Sequence, residues 1–268
     1  MRQRPTSNVQ RSTLKHRASR FPWTLGVGRW TLNVEALLVC ISAGLCGCVG
    51  SLPTYDWHGT DNALKIMADR AASVEDISAT CQVTLTDPAG KSVTLDGALA
   101  ARGDKLLRLR AWKFNQAVLD LTMNEQGLFI WTGEKVNEQK RELHLDHVAK
   151  AWTLLSGKLL LQRPAKVVDL GGDKFDLHYA AEQGGSVVVE VNRATLTPRK
   201  YLLLDQRPIV REVVTLDRYE LVKGIPWAMR TTAEGSEGSV EVRLHEVDLH
   251  ADLPEGAFTP PPGAVREP

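Results

Sequence analysis

The sequence has little cysteine, no long apolar run and little net charge. Four cysteines occur among its 268 residues, and three of them lie between residues 40 and 48. The net charge is +1, but residues 1–47 hold seven of the 33 basic residues and one of the 32 acidic ones, which leaves −5 on the remainder. A mildly acidic body behind a basic leader argues against a nucleic-acid partner. Because 43% of the residues are hydrophobic, the body can bury a core.

The motifs of several enzyme classes are also absent. No Gly-x-Ser-x-Gly elbow occurs, and neither the dinucleotide-binding nor the P-loop glycine spacing is present. The pair Gly171-Gly172 is better interpreted as a turn. A zinc site needs three or four ligands, and neither His144-x-x-His147 nor His245 with His250 has a third. The sequence therefore predicts no enzyme, no metal site and no cofactor.

Residues 36–47 form a short apolar run of mostly small side chains behind the basic leader. A membrane-spanning helix needs about twenty apolar residues, so this run is too short to be one. A basic region followed by a short apolar run and small residues is typical of an export signal. Residues 1–47 are therefore predicted to be a signal peptide.

The run ends in Leu45-Cys46-Gly47-Cys48, which resembles the bacterial lipobox, Leu-x-Gly/Ala-Cys. The resemblance implies cleavage before Cys48 and acylation of that residue, with palmitate among the chains. More than one acyl chain gives stable membrane anchoring. Val49 follows where an Asp would retain an enteric lipoprotein at the inner membrane. The resemblance thus implies a lipid-anchored protein on the periplasmic side of the outer membrane.

Cys81 is the one cysteine besides Cys48 that remains after the leader is removed. No internal disulfide is then available. Cys81 lies in an alternating strand pattern, which favours a buried small hydrophobe over a nucleophile.

The mature chain is predicted to be one domain, residues 61–268, behind a short tether, residues 48–60, which holds Gly50, Ser51, Pro53, Gly59 and Thr60. Asp61 is expected to cap a first helix, with apolar residues from Leu64 to Ala71 at helical spacing. A second helix is expected from Asp146 to about Leu160.

Alternation of apolar and polar residues predicts about ten strands around these helices. Short turns join consecutive strands, so the sheet is expected to be antiparallel, and a sheet of this size should curl. The clearest rows are Leu107 with Leu109, Leu119 with Leu121 and Met123, and Phe129 with Trp131.

Two segments resemble the LolA/LolB-like lipoprotein carrier family. They are residues 106–131, closest to the outer-membrane lipoprotein receptors, and the ending at residues 253–264; the element order over residues 61–258 also fits. The resemblance implies a mainly β, α+β fold: a curved, unclosed antiparallel half-barrel with two or three helices lidding an apolar cavity. It further implies a monomer whose partners are acylated lipoprotein cargo, outer-membrane lipid and a periplasmic carrier.

Eight residues are candidates for the lining of that cavity. Their pattern shows only that they face inward together, and it leaves open whether they close on each other as core or on a ligand. The candidates are Leu107, Leu109, Leu119, Leu121, Met123, Phe129, Trp131 and Trp152.

Trp112 and Phe114 lie between two apolar rows, where the chain must turn. Two aromatic residues in a wet turn predict an exposed apolar tip that touches membrane. In the receptor family the matching loop carries a protruding leucine, and Phe114 falls at its position. The alternative is that Phe114 folds back onto the sheet as part of the core.

A fold of this kind does not fix a function. One hypothesis is a carrier that binds acyl chains or lipoproteins and helps to insert them in the outer membrane. The other is a structural or accessory envelope lipoprotein with no transport role.

The lipobox yields a first testable prediction. Replacing Cys48 with Ala should release the protein from the membrane or leave it unprocessed, because the acylated side chain is removed. Cell fractionation and the mass of the mature chain measure both effects. A variant that matures normally and stays with the membrane would contradict the lipobox interpretation.

Overall fold

The structure, a computed structural model, describes most of the chain after residue 50. The described residues are 51–133, 152, 157–169, 171–181 and 184–267. All of them fall in one folded unit, Val49–Pro268. Among them, no helix is long and apolar enough to cross a membrane.

One α-helix, one 3-10 helix and thirteen strands make up the described fold. The helices are α1 (Thr60–Ala72) and η1 (Lys158–Leu161). The strands are β1 (Asp76–Thr86), β2 (Ser92–Arg102), β3 (Leu106–Lys113), β4 (Gln116–Asn124), β5 (Gly127–Thr132), β6 (Lys166–Asp169), β7 (Lys174–Ala180), β8 (Ser186–Asn192), β9 (Thr197–Leu204), β10 (Val210–Val222), β11 (Ile225–Gly235), β12 (Gly238–Asp248) and β13 (Val265–Arg266).

All thirteen strands form a single open antiparallel sheet. Its order is β13-β5-β4-β3-β2-β1-β12-β11-β10-β9-β8-β7-β6, so β1 pairs with β12 and joins the two halves. The expected unclosed antiparallel sheet is confirmed. Alternation did not identify β6, β7, β11 and β13; β13 has only two residues and lies at an edge of the sheet, where nearby prolines interrupt no central strand.

The sheet curls strongly. Leu107 and Leu109 of β3 line the same cavity as Trp227 of β11, although β2, β1 and β12 lie between these strands. Four strand spacings in a flat sheet would separate them by about 19 Å. Side chains can meet across that span only if the sheet bends around them, as a half-barrel does.

One continuous apolar face lines the inside of this curve. Cross-strand partners carry it from β5 to β6; for example, Leu121 pairs with Leu109, and far along the sheet Tyr201 pairs with Val189. Two clusters of buried side chains result, one on β1–β5 and one on β7–β11. We call this surface the inner face and the other side of the sheet the outer face.

Helix α1 covers the second cluster with its buried residues Ala63, Met67 and Ala71. It begins at Thr60 after Gly59, whose φ of +93° suits a residue without a side chain. The prediction that Asp61 caps this helix is therefore wrong; Asp61 lies in the first turn, where its charge favours the helix dipole.

The first cluster is covered by Trp152, which is helical and only 3% exposed. Most of the helix predicted from Asp146 to Leu160 lies outside the described residues. Its end is not α-helical, because Gly157 adopts φ +71° and the short 3-10 helix η1 follows. The described helix count is thus lower than the two or three expected.

The C-terminal segment crosses the outer face of β3–β5. Arg108 makes a bidentate ion pair with Asp120 and also donates to the carbonyl of Ala257, while Asn124 donates to the carbonyl of Phe258. The Asp120 side chain is only 3% exposed. A polar pair is therefore buried between the sheet and the tail that covers it.

This buried pair gives a stability prediction. Asp120→Asn should lower the free energy of unfolding by about 2 kcal/mol, because an amide cannot accept the bidentate, charge-assisted hydrogen bonds of Arg108 at a position nearly closed to solvent. Urea unfolding measures the loss. Asp217→Asn is the matched control: Asp217 also pairs side by side with an arginine, Arg230, but is 37% exposed, so its loss should stay below about 1 kcal/mol. Equal losses would contradict the buried pair.

Candidate apolar cavity and exposed turn

Four of the eight predicted lining residues form the centre of the inner face on β3 and β4. Leu107, Leu109 and Leu121 are fully buried and Leu119 is 3% exposed. Met123 pairs with Leu107 and packs on the same cluster, partly buried. The alternating rows of β3 and β4 therefore meet as the sequence predicts.

Phe129 and Trp131 do not join them. Ile130 pairs with Leu121, so Ile130 faces inward, whereas Phe129 pairs with Thr122 and Trp131 pairs with Asp120 on the outer face. The predicted placement of these two aromatic residues on the inner face is wrong. The physical reason is that both faces of β5 are covered, the outer one by the C-terminal segment, so both of its rows are apolar and alternation alone cannot orient the strand.

Trp152 lies between the two walls of the curved sheet. Its neighbours around a cavity of about 30 Å³ include Leu107 and Leu109 on one wall and Trp227 and Val242 on the other. Among the residues that the structure describes, the buried indole Nε1–H of Trp152 finds no acceptor, and an unpaired buried donor costs about 1–3 kcal/mol. Trp152 thus fills the inner face with an apolar ring while leaving one polar atom unsatisfied.

A second cavity, of about 70 Å³, lies under α1 and η1 against β9–β11. Binding pockets for small molecules have volumes of about 300–1,000 Å³. Among the described residues, both of these cavities are much too small for an acyl chain, and the predicted lining residues that face inward close on one another.

Two buried titratable groups of the inner face, Cys81 and Tyr179, stay protonated near neutral pH. Burial raises the pKa of the Cys81 thiol to about 12 and that of the Tyr179 hydroxyl to about 12. Cys81 is the buried small residue that the sequence predicts, and neither group supplies a nucleophile near neutral pH. Among the described residues no three His, Cys, Asp or Glu side chains come together as metal ligands. His245 and His250 are exposed, and His144 and His147 lie outside the described residues.

Phe114 stands at the tip of the β3–β4 hairpin. Lys113 pairs with Gln116, so the turn has two residues, Phe114 at φ +52° and Asn115 at φ +60°. These left-handed angles are typical of the type I′ hairpin turn, for which Asn-Gly and Asp-Gly are preferred. Phe114 is 90% exposed. Phe114 is therefore exposed at the turn, as predicted, and does not fold back onto the sheet; its contact with membrane stays a prediction.

Trp112 is not part of that tip. It is a half-buried residue of β3, paired with Asp96 of β2 and Ala117 of β4. Its register on β2 places it on the outer face with Arg108 and Arg110. The prediction of two exposed aromatics in the turn is wrong for Trp112, because the strand continues to Lys113 and the turn is only two residues long.

The described part of the tether is docked on the domain. The backbone N–H of Tyr55 donates to the carbonyl of Ala194, and the Arg70 guanidinium lies 4.7 Å from the Tyr55 ring centroid. The Trp57 ring lies 5.2 Å from that of Phe175. The sequence predicts only a short tether here. Tyr55 and Trp57 are the signal in the sequence that this segment packs on the domain. Cys48 lies outside the described residues.

Replacing Phe114 with Gly should stabilise the protein by about 0.5–1 kcal/mol. A bulky residue in the left-handed region is strained by about 1–2 kcal/mol, glycine is not, and the exposed ring loses no packing. Asn115→Gly is the control and should gain less, since Asn tolerates this region. Urea unfolding measures both changes. A clear loss of stability in Phe114→Gly would show that the ring packs on the domain.

No protein-family model and no curated protein matches this chain. Solved structures do. A LolA superfamily protein of Nitrosomonas europaea superposes with a TM-score of 0.51 at 10% identity, over 74% of this chain and 97% of its own. A DUF1329 family protein from Desulfovibrio piger superposes with a TM-score of 0.54 at 12% identity, and the match covers 74% of this chain and 96% of that one.

A third similar structure is a putative outer membrane lipoprotein-sorting protein domain from Vibrio parahaemolyticus. Its TM-score is 0.50 at 16% identity, and the match covers 74% of this chain and 97% of that one. Identities this low show the fold alone. The chain has a LolA/LolB-like fold, as the sequence resemblance predicts.

Proposed function

We propose that this protein is a lipoprotein anchored in the outer membrane through Cys48, where it binds the acyl chains of lipoproteins and helps to insert them in that membrane. The observation that carries the proposal is the conformation of Phe114. A bulky side chain is held in a strained, left-handed turn and is 90% exposed. Strain of this kind persists at functional sites, and an exposed aromatic suits a membrane interface.

The tip and the apolar interior belong to the same hairpin. Strands β3 and β4 carry the inner rows around Leu109 and Leu121, and the turn between them carries Phe114. An acyl chain held on the inner face therefore lies along the strands that end at the tip. This continuity is what a carrier needs, since apolar cargo must move to the membrane without crossing water.

Binding requires that Trp152 leave its place between the walls. The indole is the large group next to the cavity beside Leu107 and Leu109, and its unpaired Nε1 makes that place less favourable than an all-hydrocarbon contact. An acyl chain that replaces the ring would bury against the same leucine and valine side chains. It would gain about 0.8 kcal/mol for each methylene taken from water.

Two of the similar structures support this proposal: one is a LolA superfamily protein, and the other is a putative outer membrane lipoprotein-sorting protein domain.

A second candidate function is a structural or accessory envelope lipoprotein. The small volumes of the two cavities, about 30 and 70 Å³, favour it, because a packed interior needs no ligand.

A transfer assay separates the two candidates. The chain from Val49 onward, which contains every described element, is loaded with a fluorescent diacylated lipopeptide and mixed with vesicles. Wild type should bind the lipopeptide and release it. Phe114→Glu should bind equally well but release about tenfold more slowly, because a charge replaces the ring that enters the lipid.

Phe114→Leu is the matched control and should keep near-normal transfer, since it preserves an apolar tip. Failure of the wild-type domain to bind the lipopeptide at all would contradict the carrier and support the accessory role. An unchanged rate of lipopeptide transfer by Phe114→Glu would show that the Phe114 tip takes no part in release.

A further inference from the structure

We infer that the turn between β9 and β10, residues 205–209, together with Val210 at the start of β10, is a second membrane-contact tip that meets an anionic lipid surface on the same edge of the sheet as the Phe114 tip. The inference rests on the proposed membrane contact of Phe114 and extends it to a surface that the sequence did not reveal.

The turn is rigidly built around Asp205. One carboxylate oxygen accepts the backbone N–H groups of Arg207 at 2.8 Å and Ile209 at 3.0 Å, and the other accepts two N–H groups of Arg211 at 2.9 and 2.7 Å. These bonds, the backbone N–H of Ile209 above all, lower the pKa of Asp205. The carboxylate therefore stays charged and the turn stays closed at neutral pH.

This rigid turn holds two aliphatic side chains in water. Ile209 is 50% exposed and Val210 is 45% exposed, and they are adjacent. Arg207 beside them is exposed, and the Arg211 side chain is 68% exposed even though it pairs with Asp205. A hydrogen-bonded turn that presents aliphatic groups next to cations has the composition of a membrane-surface contact.

The strand order places this turn on the same edge of the sheet as Phe114. Because all neighbours are antiparallel, the turns that follow β1, β3, β7, β9 and β11 lie at one edge, which we call the Phe114 rim. The described part of the chain has six exposed large apolar side chains, and Phe114, Ile209 and Val210 lie on this rim. Leu221 lies on the opposite rim, since it pairs with Pro226 beside the β10–β11 turn.

The two tips are far enough apart to fix the orientation of the domain on a membrane surface. Strands β3 and β10 are separated by five strand spacings, about 24 Å along the curved sheet. Between them, the β1–β2 turn carries Asp87 and Lys91 and the β11–β12 turn carries Glu234 and Glu237, and neither turn holds a large exposed apolar side chain. Among the described residues of these turns, a cation therefore lies next to a large exposed apolar side chain only at the two tips, where Lys113 precedes Phe114 and Arg211 follows Val210.

The tether has the length that this orientation needs. Tyr55 is held by Ala194 in the β8–β9 turn, on the opposite rim. Strands β8 and β9, of seven and eight residues, span about 23–26 Å between the rims. The eight residues from Cys48 to Tyr55 make seven steps that reach at most about 25 Å, so they span this distance only when fully extended. A lipid-anchored Cys48 and the Phe114 rim can therefore lie on the same membrane.

These observations favour lipid over a protein partner. Both tips are projecting turns, so they offer no groove for a partner's side chains, and apolar groups that project next to cations insert between anionic head groups. A bilayer surface is also extended enough to meet both tips at once, although they lie about 24 Å apart along the sheet.

Vesicle co-sedimentation of the chain from Val49 onward tests the inference. The double variant Ile209→Ser, Val210→Ser should partition about tenfold more weakly than wild type into vesicles of phosphatidylethanolamine with phosphatidylglycerol, because two partly exposed aliphatic groups no longer insert. Combining it with Phe114→Ser should weaken binding further. Leu221→Ser is the matched control on the opposite rim and should change binding by less than about twofold.

The outcomes separate this inference from the proposed function. If Phe114→Ser weakens vesicle binding and the double variant does not, the inference of a second membrane-contact tip is wrong while the proposed function stands. Loss of binding to a protein by the double variant would not rescue the inference, because it concerns lipid. If Leu221→Ser weakens binding as much as the double variant, the contact is unspecific and the inference also fails. Thermal unfolding of each variant tests whether misfolding causes any loss of binding. The melting temperatures should stay close to that of wild type, because the serines replace exposed side chains.

Discussion

One constraint governs the whole molecule: a single sheet carries an apolar face that runs across almost all of its thirteen strands and cannot be left in water. The sheet meets this constraint by curling until β3 and β11 share neighbours. Helix α1 and Trp152 then cover the two clusters that remain. Curling depends on the right-handed twist of long antiparallel strands, and it turns a flat apolar surface into an interior. Any acyl-binding role depends on that interior opening again.

Apolar side chains are buried in the interior but exposed to solvent on the Phe114 rim, and this contrast indicates that the rim has a role other than stability. Buried leucines such as Leu109 lie where burial stabilises them, whereas Phe114 and Ile209 lie in tight turns that place them in solvent. Folding gains little from the Phe114 ring, which is 90% exposed, and only part of the usual gain from Ile209, which is 50% exposed. Their placement on one edge, opposite the docked Tyr55, separates a rim with exposed apolar side chains from a rim that holds the tether.

Alternation predicted the parts of the fold in which one face is wet. Leu107 to Ala111 and Leu119 to Met123 meet as predicted because the alternate residues, Arg108 and Asp120 among them, mark the other face as polar. The same rule misplaced Phe129 and Trp131, because the C-terminal segment covers the outer face of β5 and makes both rows apolar. That covering is a contact distant in sequence, which local periodicity cannot contain. Ile209 was missed for a similar reason: only the strand order shows that its turn shares a rim with Phe114.

The central claim is that an acyl chain enters the space now filled by Trp152. A photoreactive fatty acid with a diazirine on its chain, cross-linked to the chain from Val49 onward and mapped by mass spectrometry of peptides, tests this claim most directly. The account predicts that cross-links fall on inner-face residues around Trp152, Leu107 and Leu109 of one wall and Trp227 and Val242 of the other. Cross-links confined to the outer face, or none above the level of an unrelated protein, would contradict it.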